Sequence, residues 1–75
     1  MNYKLVIPPM TIHFYKNYPM RKKPVMAVSF DGKSCLYKVA SFNDEKTMRW
    51  FIECFDDALK HSNVKRFLMG EVRDA

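Results

Sequence analysis

Glycine is nearly absent from this chain: Gly32 and Gly70 are the only two in 75 residues. A loop that cradles phosphate on its backbone needs several glycines at fixed spacing, so a nucleotide-binding loop of that kind is excluded. Cysteine and histidine are as scarce, with two of each. Cys35, Cys54, His13 and His61 show no Cys-x-x-Cys spacing, so no metal site and no cofactor are expected. The same shortage argues against an enzyme. A nucleophilic triad needs Ser or Cys, His and a carboxylate held together. Here Cys54 and His61 stand two helical turns apart, too far for a direct hydrogen bond. Glu53, Asp56 and Asp57 read as the solvated face of a helix rather than a catalytic carboxylate cluster. Long apolar runs are missing too. Met1-Asn2-Tyr3-Lys4 leads into three apolar residues before Pro8-Pro9, which is no secretion signal, and nothing approaches the ~20 apolar residues of a membrane span. The expectation is a cytoplasmic protein with two reduced, partly buried thiols, although one Cys35–Cys54 disulfide is geometrically open if their elements pack together.

What is present is a globular composition, 48% hydrophobic and 15% aromatic, with a formal charge of +5. Residues 1–75 make one domain, near the lower size limit for a core that needs no staples. The basic balance suits nucleic acid, an anionic surface or an acidic protein.

The chain is organised around Val25 to Leu59. Val25-Met26-Ala27-Val28-Ser29-Phe30 and Cys35-Leu36-Tyr37-Lys38-Val39-Ala40 read as strands joined at Asp31-Gly32, a pair suited to a type I′ hairpin turn. Met26, Val28 and Phe30 share one face. On the second strand the larger apolar set favours burying Cys35, Tyr37 and Val39, with Leu36, Lys38 and Ala40 as the alternative. A helix follows. Ser41 with Asp44 fits a capping pattern, Asn43 is an alternative N-cap, and Asp44 and Glu45 suit the positive end of the helix dipole. Met48, Phe51, Ile52, Phe55 and Leu59 recur at three- and four-residue steps as a core-facing stripe, and Ser62-Asn63 break the helix.

Trp50 falls off this stripe, on the far side among Lys46, Glu53, Asp57 and His61. Three readings stand: the indole lies over the Lys46 stem or under a terminal segment, it is an exposed anchor for a partner or a second subunit, or the helix phase is misplaced.

Around this centre, Tyr3 to Ile7 and Met10 to Tyr15 read as strands and Val64 to Met69 as a closing strand stopped by Gly70, with Glu71 to Ala75 as a tail. The fold expected is α+β: a small antiparallel sheet of four or five strands in the order β-β-β-β-α-β, with one long amphipathic helix packed on one face. One helix covers only one face of such a sheet. Thr11, His13, Tyr15, Ser29, Lys38 and Arg66 are the candidates for the other face.

The strongest charge feature is the loop from Lys16 to Pro24. Lys16, Arg21, Lys22 and Lys23 are placed to contact phosphates, with Tyr15 and Tyr18 interleaved to stack on a base. Lys65 and Arg66 add charge elsewhere, while Asp44, Glu45, Glu53, Asp56 and Asp57 make the helix acidic.

The run from a basic segment through a strand, Asp31-Gly32-Lys33, a second strand and Ser41-Phe42-Asn43-Asp44-Glu45 into a Trp-containing helix resembles two known patterns. One is the three-stranded-sheet DNA-binding domain of phage integrase arms, whose sheet enters the major groove. The other is the class of small phage-encoded inhibitors of bacterial defence, such as anti-CRISPR proteins. Each resemblance covers about half of the chain and rests on element order.

Two functions follow as expectations. The first is non-enzymatic nucleic-acid binding through the basic loop and the sheet face. The second is an inhibitor or adaptor of phage type that binds an acidic or nucleic-acid-associated protein, with Trp50 as its anchor. A homodimer through a sheet edge or the Trp50 face is compatible with both.

Overall fold

The computed structural model of the chain describes residues 2–16 and 23–70. The readings of Tyr18, Arg21, Lys22 and the tail from Glu71 lie outside these residues. The elements are β1 (Tyr3–Ile7), β2 (Met10–Tyr15), β3 (Val25–Phe30), β4 (Tyr37–Ser41), α1 (Glu45–His61) and β5 (Phe67–Gly70). They form one antiparallel sheet in the order β4-β3-β2-β1-β5 with the helix on one face, which is the expected α+β architecture. Because β4 and β5 are opposite edges, α1 carries the chain across the whole sheet.

Alternation sorts the side chains. The register sets Tyr3 beside Phe14, Leu5 beside Ile12, Ile12 beside Val28 and Phe14 beside Met26, so all of these share the helix face. Met48 and Ile52 of α1 meet Tyr3, Leu5, Ile12 and Phe14 in the buried core, and Phe51, Phe55 and Leu59 pack beside it. Phe51 lies 5.5 Å from Phe42 and 5.6 Å from Phe55, ring centre to ring centre. The sequence stripe on α1 is therefore the packed one.

A helix is about 10 Å wide and strands lie ~4.8 Å apart, so α1 shields two or three strands of five. This overturns the burial expected in β4. Tyr37 is 54% exposed, Val39 57%, and Cys35 is exposed as well. A register shift at Met26/Ala27 leaves Val39 without a partner on β3, since Ala40 faces Met26 and Lys38 faces Ala27. Cys54 is also exposed, and both thiols are free rather than partly buried.

The connections differ from the sequence reading in three further places. At Asp31-Gly32 only Gly32 has positive φ, +78°, and the Lys33 N–H donates to the Phe30 carbonyl at 3.0 Å. That is the φ pattern of a type II turn rather than type I′, and β4 resumes only at Tyr37. The N-cap of α1 is Asp44, neither Ser41 nor Asn43. Its Oδ1 accepts the Thr47 N–H at 2.7 Å, which holds the Asp44 carboxyl below the usual carboxylate range. Ser41 instead pairs with Val25 in the sheet. Val64 caps the helix end instead of starting β5. Its N–H donates to the Leu59 carbonyl at 3.1 Å while Asn63 donates to Lys60 at 3.2 Å, the paired bonds of a Schellman motif.

Asn63 takes the left-handed position of that motif, with φ 59°. Asn tolerates this region less well than glycine does. Asn63→Gly is therefore expected to raise stability by about 0.5–1 kcal/mol in urea unfolding, and Asn63→Val to lower it.

β5 closes against β1 through Gly70, whose φ is +104°. A Cβ there would stand 2.8 Å from the Asn2 carbonyl oxygen and 2.9 Å from Tyr3 Cα. Glycine is required at this point by space as well as by φ.

Candidate nucleic-acid interface

The sheet face away from α1 is built by the other half of each strand. Lys4 and Val6 of β1, Thr11, His13 and Tyr15 of β2, Val25, Ala27 and Ser29 of β3, and Lys38 of β4 all point to it. The pairing of β5 with β1 adds Met69 beside Lys4 and Phe67 beside Val6. One row across the sheet reads Met69, Lys4, His13, Ala27, Lys38. Val25 and Ala27 are fully buried on this face, His13 and Tyr15 are partly so, and Lys4 and Lys38 are among its exposed members.

Rings and cations alternate over this surface. His13 and Tyr15 are stacked, with ring centres 5.9 Å apart and planes 3° from parallel. Phe67 is 51% exposed and Met69 54%, both on the β5 side. The Lys65 ammonium stands 5.9 Å from the centre of the Phe67 ring, a cation–π contact that leaves it in solvent.

His13 shares a 2.8 Å hydrogen bond between Nε2 and the Ser29 hydroxyl. Burial, and then the Lys4 charge beside it, lower its pKa below 6.5. The neutral ring is thus the folded form, and the unfolded chain takes up the proton first as the pH drops. The contribution of His13 is complete above pH 6.5 and is lost progressively below it. His13→Asn is expected to flatten the fall in urea-unfolding stability between about pH 7 and pH 5. An unchanged slope would place the titration elsewhere.

The carboxylates lie apart from this face. Every described Asp and Glu is in the β3–β4 connection (Asp31), at the helix cap (Asp44) or in α1 (Glu45, Glu53, Asp56, Asp57). The open face therefore holds lysines and no described carboxylate.

The sequence candidates separate accordingly. Tyr15 and Lys38 belong to the open face, and Lys65 joins it through Phe67. Lys23 is exposed where the chain enters β3. Lys16 turns towards the helix start, its Nζ 3.3 Å from Glu45 Oε1. Arg66 is placed away from the open face: its Nε donates to Asp56 Oδ1 at 2.8 Å in a half-buried ion pair that ties the start of β5 to α1. Trp50 is on the opposite side of the molecule, 67% exposed on the outer face of α1. It borders an open depression of about 530 Å³ lined by Glu45, Lys46, Arg49 and Glu53. Lys4, Phe67 and Met69 were not among the sequence candidates. Lys4 could have been found from its alternation with Leu5, but the other two depend on β5 joining β1.

Among the described residues no cluster of three metal-ligating side chains occurs, and no helix is long and apolar enough to cross a membrane. Fold and face together define a small α+β protein in which, among the described residues, one helix packs on one face of a five-stranded antiparallel sheet. No family model matches the chain, and no curated protein or solved structure matches it.

Proposed function

We propose that this is a cytoplasmic, non-enzymatic protein that binds nucleic acid through its open sheet face, taking unpaired bases against the rings and phosphates against the lysines. One observation carries the reading: the described carboxylates are kept off the sheet face, whereas cations lie on both sides. Lys4, Lys38 and Lys65 share a surface with His13, Tyr15 and Phe67, while every described carboxylate lies in α1, its cap or the β3–β4 connection. A face of one sign attracts a polyanion, and exposed rings offer stacking platforms that tolerate any base. Double-stranded nucleic acid hides its base faces, so single strands are the preferred form.

The test is fluorescence anisotropy with short single- and double-stranded DNA and RNA at about 50 and 200 mM salt. Salt-sensitive binding with a preference for single strands supports the reading. No binding at the lower salt overturns it, leaving a protein partner anchored at Trp50 as the reading to pursue. A companion variant, Arg21→Ala with Lys22→Ala and Lys23→Ala, measures the share of the basic loop. If all salt sensitivity disappears with that loop, the sheet face is not the site.

A further inference from the structure

We propose that the outer face of α1 is an interface for a second copy of this chain, formed by two antiparallel helices that meet at Trp50. Trp50 is 67% exposed and lies on the side of the helix away from the buried Met48 and Ile52. A large indole held in water on a regular helix is unused apolar surface, and tryptophan is enriched at the centres of interfaces. The charges around it indicate which occupant fits.

Lys46 and Glu53 flank Trp50 on the same face of the helix. They are seven residues apart, about 10 Å along the axis. Among the described residues neither makes a hydrogen bond or an ion pair within the chain. A two-fold axis passing between Arg49 and Trp50, in the N-terminal half of α1, reverses the second helix. Lys46 of each chain then meets Glu53 of the other, with both Trp50 rings between the two contacts. The stripe is self-complementary only in this antiparallel sense, because a parallel partner would set Lys46 against Lys46 and Glu53 against Glu53. An isologous contact of this kind is the commonest route to a dimer. The depression lined by Glu45, Lys46, Arg49 and Glu53 receives the second indole.

The face is balanced in charge, with Glu45 and Glu53 offsetting Lys46 and Arg49, so it offers a polyanion no net attraction. The dimer is separate from the proposed nucleic-acid site and gives it a second copy. The layers become sheet, helix, helix, sheet, and the two open sheet faces point away from each other. Such a particle holds two strands at once.

One helix against one helix buries less than the ~1,200 Å² of a standard interface, so a Kd on the order of 0.1 mM is expected. Sedimentation velocity over a range reaching about ten times that value reads the monomer–dimer balance. Trp50 is the only tryptophan, so its emission is expected to shift to the blue as the dimer forms. Lys46→Glu and Glu53→Lys each set like charges together at both contacts, and each variant is expected to stay monomeric. Mixed in equal amounts, the two variants have opposite charges facing at both contacts and are expected to form a heterodimer. All three changed or central positions are exposed, and unaltered circular dichroism verifies that each variant is folded. A wild-type chain that is monomeric at the highest concentration overturns the proposal. So does a Lys46→Glu variant that dimerises like the wild type, or a mixture that stays monomeric.

Discussion

Replacing Lys4, Lys38 and Lys65 together by alanine is expected to reduce the slope of log K against log salt for single-stranded nucleic acid by about 2. The arithmetic follows from counterion release: each phosphate neutralised contributes ~0.7 to the slope on a single strand, and three lysines give ~2.1. Between about 50 and 200 mM salt, that portion of the affinity changes by roughly 20-fold in the wild-type chain and not at all in the variant. The three lysines are on the open face or beside it, and none supports the core. The variant is therefore expected to fold and to fail only in binding. Phe67→Ala complements it. Phe67 is half-exposed, so truncation leaves the core intact, and the loss of one stacked base is expected to cost about 1–3 kcal/mol of binding with the salt slope unchanged. Lysine changes that alter the slope and a ring change that alters only the intercept would separate phosphate contacts from base contacts. A triple-lysine variant with the wild-type slope would remove the sheet face from consideration.

Phe14→Ala is expected to cost about 3–5 kcal/mol and to leave the chain partly unfolded at room temperature. Phe14 is fully buried in β2, the middle strand of the sheet. Tyr3 and Met26 flank it across the strands, and Phe51 tilts against it at 6.3 Å. A domain of this length has about 4–11 kcal/mol of stability in total, at 0.05–0.15 per residue. One cavity of this size consumes a large share of that. Phe14→Leu keeps most of the volume and is expected to cost about 1 kcal/mol. Urea unfolding followed by circular dichroism distinguishes the two, with the midpoint falling steeply for alanine and slightly for leucine. Equal losses would mean that the site collapses around the missing ring, against the close packing described for α1.

The helix was legible because its signals are local. The stripe of Met48, Phe51, Ile52, Phe55 and Leu59 depends on a fixed angle per residue, and its period is the same in the chain as in the fold. That angle put Trp50 off the stripe, and the structure decided between a covered and an exposed indole by leaving it 67% exposed. β1, β2 and β3 were legible for a similar reason, since period-two alternation bounded by Pro8-Pro9, Pro24 and Asp31-Gly32 marks a strand wherever it finally pairs. The capping residue was read three places too early at Ser41. A Ser-x-x-Asp pattern is satisfied equally by a chain that keeps Ser41 in β4 and caps with Asp44.

β4 was misread because burial is not a property of a strand. Cys35, Tyr37 and Val39 form the more apolar set, yet the width of one helix decides which strands are covered, and an edge strand beyond it stays in water. The same limit shaped the candidate site. Tyr15, Lys38 and Lys4 could be assigned to that face from alternation, whereas Phe67 and Met69 joined it only through the pairing of β5 with β1. Arg66 looked like a free cation until the fold brought it to Asp56.

The sequence by itself determined the elements, their order, the packed face of the helix and the excess of positive charge, because each follows from residues near one another in the chain. Tertiary structure alone decided that β5 crosses to the far edge and pairs with β1. That pairing sets Phe67 and Met69 beside Val6 and Lys4 and puts Lys65 on the lysine-bearing face, while the helix takes the carboxylates to the other side. The physical reason is that strand pairing joins residues separated by most of the chain, through backbone hydrogen bonds that no side-chain pattern encodes.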